Sequence, residues 1–520
     1  MKNNIIKTIL LGSLVLTTSC NRDLLDPYTP GALTQEVAIK TPADLALMLN
    51  TGYANINSRL ESQQVSVFTD EVGIGSNNGG QGIQNDNEYL FGITPQTAFP
   101  TGLWTSNYIA LAYINRVIEF AGTVPATTAA DQASVNSTLA QAYALRALCH
   151  LKILAYFTTD MTSDTALAGI LADRSFDATQ ANNRPRATNK EFYDLIHADT
   201  DKSIALYNAL PAIALDKTRA NKFFAMGLKA RAYSYKGNYP QAEIFANQVI
   251  AQSGLTLANT AASYQQIFFT DNEAANVETI FRLKRTPAQN AQAFNLHNAW
   301  ASVTPNLTGS PFYEISRALF NKLAVNQGDY RYRTNVAPTS LINPNYATSN
   351  DYRNTDVLVI NKHGGTASGS ATAATTATGG LTNDIKIMRL SEMYFIRAEA
   401  RAAANDPLGA ANAVNEVRAA RITTGYTPLV FGSVADAWAG IVDERRLEFS
   451  FEGYRFIDLK RLGAKAGRGI DRDPADYSSS SSNYPAANPS NLPLSSFKWA
   501  LPIPTVELTA NNVITQNPGY

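Results

Sequence analysis

The segment from 132 to 157 constrains the fold most, because it is helical in pattern and apolar almost all the way round. Some of its residues form one stripe at helical spacing, and other apolar residues lie on the remaining sides. The stripe is Tyr143, Ala147, Leu151 and Leu154, and the others are Leu145, Leu148 and Ile153. A helix that is apolar on every side must be covered by other helices. The sequence therefore predicts a mainly α-helical chain in which helices pack as an array.

Further helices are predicted on both sides of this segment, and some form hairpins. Apolar periodicity predicts helices at 42–61, 104–120, 189–209, 219–235, 239–252, 386–421 and 435–452. Small alanines between Ala230 and Ala242, with Gly237 at the turn, are typical of a tetratricopeptide-like hairpin. A second such hairpin is predicted within 393–417, where Asn405-Asp406-Pro407 ends one helix and starts another.

Two regions between the helices are rich in loops. Residues 73–100 are rich in Gly and Asn, whereas 253–385 mix Gly, Pro, Asn and aromatics with strand-like runs at 278–283 and 357–360. Long loops within a compact protein often carry function. We therefore predict one domain over 42–520. Its scaffold helices lie at about 103–252 and 386–461, and its binding region at about 73–100 and 253–385.

The N-terminus has the composition of a bacterial export signal. Lys2 and Lys7 precede an apolar run at 9–16, which is too short to span a bilayer, and small residues then lead to Cys20. The pattern predicts a signal peptide at 1–19, a lipidated Cys20 and a tether over 20–41. Leu16 lies four residues before the cysteine instead of the usual three, so an ordinary signal peptide with a chance cysteine is the alternative.

Charge and composition exclude several function classes. The chain has 43 basic and 43 acidic residues, whereas a nucleic-acid-binding protein needs a basic excess, so we predict no nucleic-acid partner. With 2 cysteines and 4 histidines among 520 residues, a disulfide scaffold and a Cys-rich zinc module are excluded. Cys149 lies in the apolar helix, which predicts a buried, inert thiol. The motifs G-x-S-x-G, H-E-x-x-H and the P-loop are absent, and we predict no cofactor.

Several motifs follow one another in a specific order. They are Leu103-Trp104-x-x-Asn107-Tyr108, Ile114–Ile118, Ala142–Phe157, the hairpin at 230–242, Arg389–Ala400, Asn415–Arg418, Glu444–Arg461, Leu501–Pro504 and Gln516–Tyr520. In this order they resemble the SusD/RagB family of outer-membrane lipoproteins from Bacteroidetes-type bacteria. Asp23 and Asp26, just after Cys20, are similar to the acidic surface-export signal of such lipoproteins.

This resemblance implies a SusD-like fold, with four tetratricopeptide-like helix hairpins as scaffold and an irregular, loop-rich binding region. It also implies a lipid-anchored, non-catalytic protein exposed on the outer membrane. Such a protein captures an oligosaccharide and delivers it to a SusC-like TonB-dependent transporter. Two alternatives stay open: a RagB-like peptide-binding lid, and a surface glycoside hydrolase on a helical scaffold.

The acidic residues have competing interpretations. Glu444, Glu448 and Glu452 recur every four residues, so on one helix they share a face, and we predict a salt-bridge lattice with nearby arginines instead of a catalytic pair. Asp70 and Glu71 are adjacent, and adjacent side chains diverge, which argues against a shared catalytic site. The Asn85-Asp86-Asn87-Glu88 run offers oxygen ligands for calcium, but it lacks the EF-hand pattern, so we predict no metal site.

Aromatic and amide residues in the loops are the candidates for ligand binding. Sugars stack their C–H faces on flat rings, and their hydroxyls pair with amides and carboxylates. The candidates are Trp300, Tyr313, Phe312, Asn298, Tyr89, Phe91 and Trp104. For each aromatic, the alternative is a loop anchor packed on the scaffold, and Trp104 is also part of a family motif.

Overall fold

A computed structural model describes residues 39–56, 58–75, 88–211, 214–269, 276–284, 311–349, 352–362, 384–477 and 490–520. The longer helices are α1 (Pro42–Asn55), α2 (Ser58–Phe68), α3 (Ala98–Phe120), α4 (Ala129–Phe157), α5 (Asn189–Ala209), α6 (Lys222–Lys236), α7 (Tyr239–Gln252), α8 (Ala261–Phe269), α9 (Arg317–Ala324), α10 (Tyr330–Asn335), α11 (Leu390–Ala403), α12 (Pro407–Arg421), α13 (Val434–Phe449), α14 (Arg455–Ala466) and α15 (Thr505–Ala510). The strands are β1 (Val72–Ile74), β2 (Thr279–Leu283), β3 (Tyr313–Ile315) and β4 (Ile385–Arg389). Single helical turns occur at Ala178–Ala181 and Tyr352–Thr355, and 3-10 turns at Glu88–Leu90, Tyr346–Thr348, Pro474–Tyr477 and Phe497–Trp499. The prediction of a mainly α-helical chain is confirmed.

The long helices pack on their neighbours in sequence. Packed pairs include α3 with α4, α4 with α5, α6 with α7, α11 with α12, and α13 with α14. Helix α7 also packs on α11, so the two predicted groups of scaffold helices contact each other directly, although the loop-rich segment separates them in sequence. The main apolar core contains buried residues from both groups. That the pairs are of the tetratricopeptide type, and that 42–520 is a single domain, stay predictions.

Turn residues at the hairpins act as the sequence predicts. Gly237 ends α6 with a φ of +82°, a left-handed conformation that glycine adopts without steric cost. Asn238 then caps α7 by accepting the amide hydrogen of Gln241. In the second hairpin, Asp406 accepts from the Gly409 amide at 2.7 Å, and Pro407 occupies the first turn of α12.

The interior of α4 confirms the interpretation of Cys149. Burial raises the pKa of its thiol to about 12, so the reactive thiolate does not form near neutral pH. His150 faces elsewhere: its Nδ1 lies 2.9 Å from the Arg146 carbonyl oxygen, and its Nε2 accepts from the Ala172 amide at 3.1 Å. Burial lowers the pKa of this imidazole to about 3, so it is neutral and structural.

Several boundaries differ from the predictions. The helix expected over 42–61 is broken at Ile56 into α1 and α2. Residues 386–389, expected at the start of a helix, belong to strand β4 because they pair with β2. The run at 357–360 makes only isolated bridges, to Leu341 and Val336. Local propensity is a weak guide where a distant segment supplies the hydrogen bonds. Within the described ranges, no helix is both long and apolar enough to cross a membrane.

Candidate functional site

The paired strands β1 and β3 lie just before residues 76–87 and just after residues 285–310. The strands are antiparallel, with Ile74 opposite Tyr313. Just beyond, the Gly75 amide donates to the Phe312 carbonyl at 2.9 Å. A Cβ at position 75 would lie 2.1 Å from the Pro311 carbonyl oxygen, so only glycine fits there. The chain ends adjoining 76–87 and 285–310 are therefore fixed side by side.

The paired strands β2 and β4 lie just before residues 285–310 and just after residues 363–383. Its strands are antiparallel, with Leu283 opposite Ile385, so the chain ends adjoining 285–310 and 363–383 also lie together. The buried side chains of Arg282 and Asp384 form an ion pair at 3.3 Å across this end. Strand pairs thus hold the described residues that precede 76–87, flank 285–310 and follow 363–383, inside the two regions predicted to bind ligand.

Beside β3, the half-buried ring of Tyr346 is held in a fixed orientation. The guanidinium carbon of Arg317, the first residue of α9, lies 3.7 Å from the ring centre. Arg317 Nη1 donates to both carboxylate oxygens of buried Asp356, at 2.8 and 2.9 Å. The Tyr346 hydroxyl donates to Asp473 at 3.2 Å and accepts from Asn321 at 3.1 Å. One ring face is covered by a fixed cation, and part of the tyrosine surface stays exposed to solvent.

Asp473, which accepts from Tyr346, leads through one short turn to the middle of β1. Asp473 accepts the Asp476 amide at 3.0 Å, and Asp476 Oδ1 lies 3.1 Å from the position of a Cβ on Gly73. Phe312, which is half-buried, precedes β3 by one residue. We call the set Arg317, Asn321, Tyr346 and Asp473 the sheet-edge site. The ring, amide and carboxylate of this site match the chemistry of a sugar, with C–H faces for stacking and hydroxyls for hydrogen bonds.

Sequence reasoning missed Tyr346, although a signal was present. The residue ends the run Asn343-Pro344-Asn345-Tyr346, and such Asn/Pro turns place aromatic residues at the surface. Phe312 was predicted, and the structure places it half-buried beside the strand pair.

Two of the predicted binding aromatics, Tyr89 and Phe91, are buried in the core. The guanidinium carbon of Arg472 lies 3.8 Å from the Tyr89 ring centre and 4.7 Å from that of Phe91. Its nitrogens also donate to main-chain oxygens, including that of Tyr89 at 2.7 Å. Neither ring has a face open to a sugar, so the structure corrects this part of the prediction and favours the anchor interpretation.

Trp104 and Tyr313 are also buried. The Trp104 indole nitrogen donates to Glu507 at 3.1 Å, and its ring packs on Tyr108 and Phe157. Tyr313 lies within β3, covered on the strand pair. Their burial leaves them no ring face for a ligand, so we do not include them in the proposed site.

Other predictions fall outside the described residues. These are Trp300, Asn298, Cys20, the signal peptide and residues 85–87 of the calcium run. Glu88, which ends that run, is described and buried. Among the described residues, no group of His, Cys, Asp and Glu is arranged to hold a metal ion.

The carboxylates of the 444–461 block form the predicted salt-bridge lattice. Glu448 lies 2.7 Å from Arg389 and 2.8 Å from Arg421, and both arginines also bind Glu278 at 2.8 Å. Burial by itself favours the neutral acid, but the two arginines outweigh it and hold the pKa of Glu448 well below its usual range. This lattice joins α13 to α12, β4 and the residue before β2.

The ends of the lattice refine the prediction. Glu444 pairs with Arg331 at 2.8 Å and with Arg418. Glu452 pairs with Arg389 and Lys362, each at 2.8 Å, but it lies beyond the end of α13. The prediction that all three glutamates share one helix is therefore wrong at Glu452.

Asp70 and Glu71 have opposite environments. Asp70 is buried against Arg446 and Arg455, and these cations outweigh the effect of burial and lower its pKa. Burial raises the pKa of Glu71 to about 7, opposed mainly by the hydrogen bond from Ser66 at 2.6 Å. A raised carboxyl pKa is typical of the general acid in glycosidases. Glu71 is almost completely buried, however, so the pair offers a substrate no access.

Comparison with known proteins supports the family resemblance along most of the chain. The SusD family model matches residues 258–520, and a second model, described as starch-binding and associating with the outer membrane, matches residues 25–234. SusD-like protein P2 of Formosa agariphila is 24% identical over 534 residues, covering 95% of this chain and 96% of the relative. SusD-like protein P38 of the same organism is 23% identical and covers 88% of this chain and 91% of the relative.

Solved structures share the fold. A SusD superfamily protein from Bacteroides thetaiotaomicron superposes with a TM-score of 0.73 at 21% identity, covering 92% of this chain and all of the other. A laminarin-binding SusD-like protein superposes with a TM-score of 0.67 at 21% identity, covering 93% of this chain and all of the other. From the family models, the relatives and the shared helical fold, we conclude that this chain belongs to the SusD family, whose members include carbohydrate-binding proteins associated with the outer membrane.

Proposed function

We propose that this chain binds an oligosaccharide at the cell surface and delivers it to a SusC-like TonB-dependent transporter without cleaving it. The observation that carries the proposal is Tyr346. Its half-buried ring is stacked on Arg317, which follows strand β3, and its hydroxyl is bonded to the Asn321 amide and the Asp473 carboxylate. Rigid aromatic platforms with a few polar groups are suited to orienting a ligand.

The family and one neighbour support a glycan as the ligand. One matching family model is described as starch-binding, and one structural neighbour binds laminarin. Both are uncharged glucans, and the sheet-edge site has little net charge: Arg317 is neutralised by Asp356, which leaves Asp473 beside neutral Asn321 and Tyr346. Trp300 and Asn298, which lie outside the described residues, stay predicted ligand contacts.

Binding without cleavage is supported by the state of the carboxylates. A glycosidase needs two carboxyl groups facing a shared space that admits substrate. The carboxylates of the lattice are buried and bound to arginines, and Glu71 is buried behind Ser66. Incubating the protein with polysaccharide should therefore release no reducing ends. Sustained release that is lost on replacing one carboxylate would establish a hydrolase instead.

The first test is calorimetric titration of protein that begins after Cys20. The panel contains malto-oligosaccharides, laminari-oligosaccharides and peptides, with Tyr346→Ala and Trp300→Ala beside the wild type. Tyr113→Ala is the matched control, because Tyr113 is also half-buried with an arginine 5.8 Å from its ring, but lies on scaffold helix α3. We expect one glycan class to bind, with affinity about tenfold or more weaker in Tyr346→Ala and unchanged in Tyr113→Ala. Binding of peptides alone would favour the RagB-like alternative.

Delivery is tested separately in cells. A lid that contacts both ligand and barrel in the closed complex shifts the equilibrium toward closure when ligand is present. Deleting the transporter should therefore leave glycan binding intact and abolish uptake, and replacing Cys20 should release the protein from the membrane. Normal uptake without the transporter would contradict the proposed partnership.

A further inference from the structure

A second cavity lies on the helical scaffold, between α1, α4, the end of α5 and the start of α6. It has two adjoining parts, of about 470 and 250 Å³, which share Ser137, Gln141 and Arg219 in their walls. The larger part falls within the range of small-ligand sites, about 300–1,000 Å³. None of the residues of the sheet-edge site lines either part.

Arg219 is held in this cavity by neutral groups. It donates to the Asn50 side-chain oxygen, and its guanidinium carbon lies 5.1 Å from the centre of the Tyr53 ring. Tyr53 is fixed in turn, since its hydroxyl donates to Gln141 at 2.9 Å and accepts from the Ala220 amide at 2.9 Å. The guanidinium is thus pre-oriented, with its charge not neutralised by these contacts.

The charge around this cavity is positive. Within the described part of the chain, neither Arg219 nor Lys222 has a carboxylate at ion-pair distance, although both line the larger part. The acid in the described lining, Asp216, accepts from the amide and hydroxyl of Thr218, at 2.8 and 2.6 Å. Several buried arginines elsewhere are paired with a carboxylate; Arg146, for example, lies 2.7 Å from Asp199, whereas Arg219 is half-buried. A fixed arginine without an acid partner is suited to binding an anion in two-pronged geometry.

We propose that this cavity binds an acidic saccharide, a sugar carrying a carboxylate or a sulfate group. Arg219 and Lys222 would bind the anion, Tyr207 and Phe223 line the same wall, and Ser137, Gln141 and Asn208 provide hydroxyl and amide groups for sugar hydroxyls. The inference rests on the proposed function, because a saccharide carrier defines the ligand class. It adds a second, charge-selective site to the site for neutral glycans.

The experiment compares acidic with neutral oligosaccharides on wild-type protein and four variants. Oligogalacturonates and sulfated oligosaccharides probe the Arg219 cavity and distinguish the two anions, while laminari- and malto-oligosaccharides probe the sheet-edge site. We expect Arg219→Gln to weaken acidic binding at least about tenfold and to leave neutral binding unchanged. Arg116→Gln is the matched control, because Arg116 also stacks on a tyrosine, at 5.8 Å, but lines neither part of the cavity. It should bind as wild type does.

A second variant keeps the test valid if Arg219→Gln lowers the stability of the fold. Ser137→Phe fills the wall shared by the two parts without removing a charge, and it should cause the same selective loss. The proposal is overturned if acidic oligosaccharides do not bind, if both cavity variants bind them as wild type does, or if Tyr346→Ala abolishes acidic binding while Arg219→Gln does not. If Arg219→Gln loses acidic binding and no neutral oligosaccharide binds to the wild type, the cavity proposal is supported and the sheet-edge site is contradicted. Failure of the cavity proposal and failure of the proposed function therefore give different results.

Discussion

The Glu448 lattice and the sheet-edge site use similar groups in different degrees of burial. In the lattice, Glu448 lies between Arg389 and Arg421, and the guanidinium carbon of Arg389 lies 5.0 Å from the Phe449 ring centre, all buried. At the sheet-edge site, arginine also stacks on an aromatic ring, but Tyr346 keeps part of its surface accessible. Charge and aromatic content alone therefore do not identify a binding site. Solvent access decides whether these groups stabilise the fold or remain free for a ligand.

The largest expected effect is the loss of stability on breaking the Glu448 lattice. Arg421→Met removes one cation from both Glu448 and Glu278, leaving part of their charge unpaired in the interior. Breaking a buried pair costs about 3–5 kcal/mol, so the free energy of unfolding should fall by that order. Urea denaturation followed by circular dichroism measures the change. Lys190→Ala is the control, since Lys190 and Asp194 form an ion pair on the surface, each 64% exposed, and its loss should cost about 0.5 kcal/mol or less.

Glu71 sharpens the comparison, because it is buried without an arginine at ion-pair distance in the described part of the chain. Its pKa in the folded protein is raised from 4.5 to about 7, so the folded state holds a proton that the unfolded state has lost. This group therefore makes the protein less stable as pH rises from about 4.5 to 7. Glu71→Gln should remove that loss and stabilise the protein at pH 7.5 relative to wild type, by on the order of 2 kcal/mol.

The pH dependence of the difference is the decisive measurement for Glu71. Denaturation midpoints of Glu71→Gln and wild type should coincide near pH 4.5 and diverge as pH rises to 7. Using the difference cancels other groups, such as His150, whose lowered pKa acts in the opposite direction. A constant difference across this range would show that Glu71 does not titrate there.

At the sheet-edge site, a conservative change separates the ring from its hydroxyl. Tyr346→Phe keeps the ring on Arg317 but loses the bonds to Asp473 and Asn321. If stacking dominates, glycan affinity should fall only about two- to threefold, against about tenfold or more in Tyr346→Ala. Equal losses in the two variants, measured by calorimetry, would assign the effect to the hydroxyl and its neighbours.

The smallest change in stability, apart from the Lys190→Ala control, is expected at a helix end outside both regions. Thr188 caps α5 by accepting the Glu191 amide, and Glu191 bonds back to the Thr188 amide at 2.8 Å. Thr188→Ala should lower the free energy of unfolding by about 1 kcal/mol and leave glycan binding unchanged. A loss comparable to that of Arg421→Met would show that the lattice is not the main electrostatic contribution to stability.

Much of the helical architecture could be predicted from sequence, since it depends on residues close together in the chain. The apolar surround of α4, the turn at Gly237 and the interruption at Pro407 each arise within a few residues, and each is confirmed. Strand β4 and the end of α13 before Glu452 were missed. Pairing with β2, more than 100 residues away in sequence, competes with local helix propensity at 386–389.

The candidate site could be predicted only in part. The sequence identified the loop-rich regions, but it could not rank the aromatics, because each aromatic residue is equally suited to anchoring a loop. Tyr89 is buried by Arg472, whose side chain donates to it from 383 residues away. Trp104 is held by Glu507, 403 residues away. Tyr346 was overlooked because its partners Arg317 and Asp473 lie on either side of it in sequence, out of range of any local pattern.

The helical class of this protein, its hairpin turns, the inert state of Cys149 and its family membership can be read from the chain alone, because periodicity, turn residues and ordered motifs are local properties. The pairing of charged residues in the interior, and the accessibility of each aromatic ring, depend on the folded arrangement. Burial is a property of all neighbours together, and those neighbours come from segments hundreds of residues apart. Two arginines illustrate this dependence. Arg472 stacks on two rings that are buried in the core, whereas Arg317 stacks on one ring that stays partly exposed to solvent.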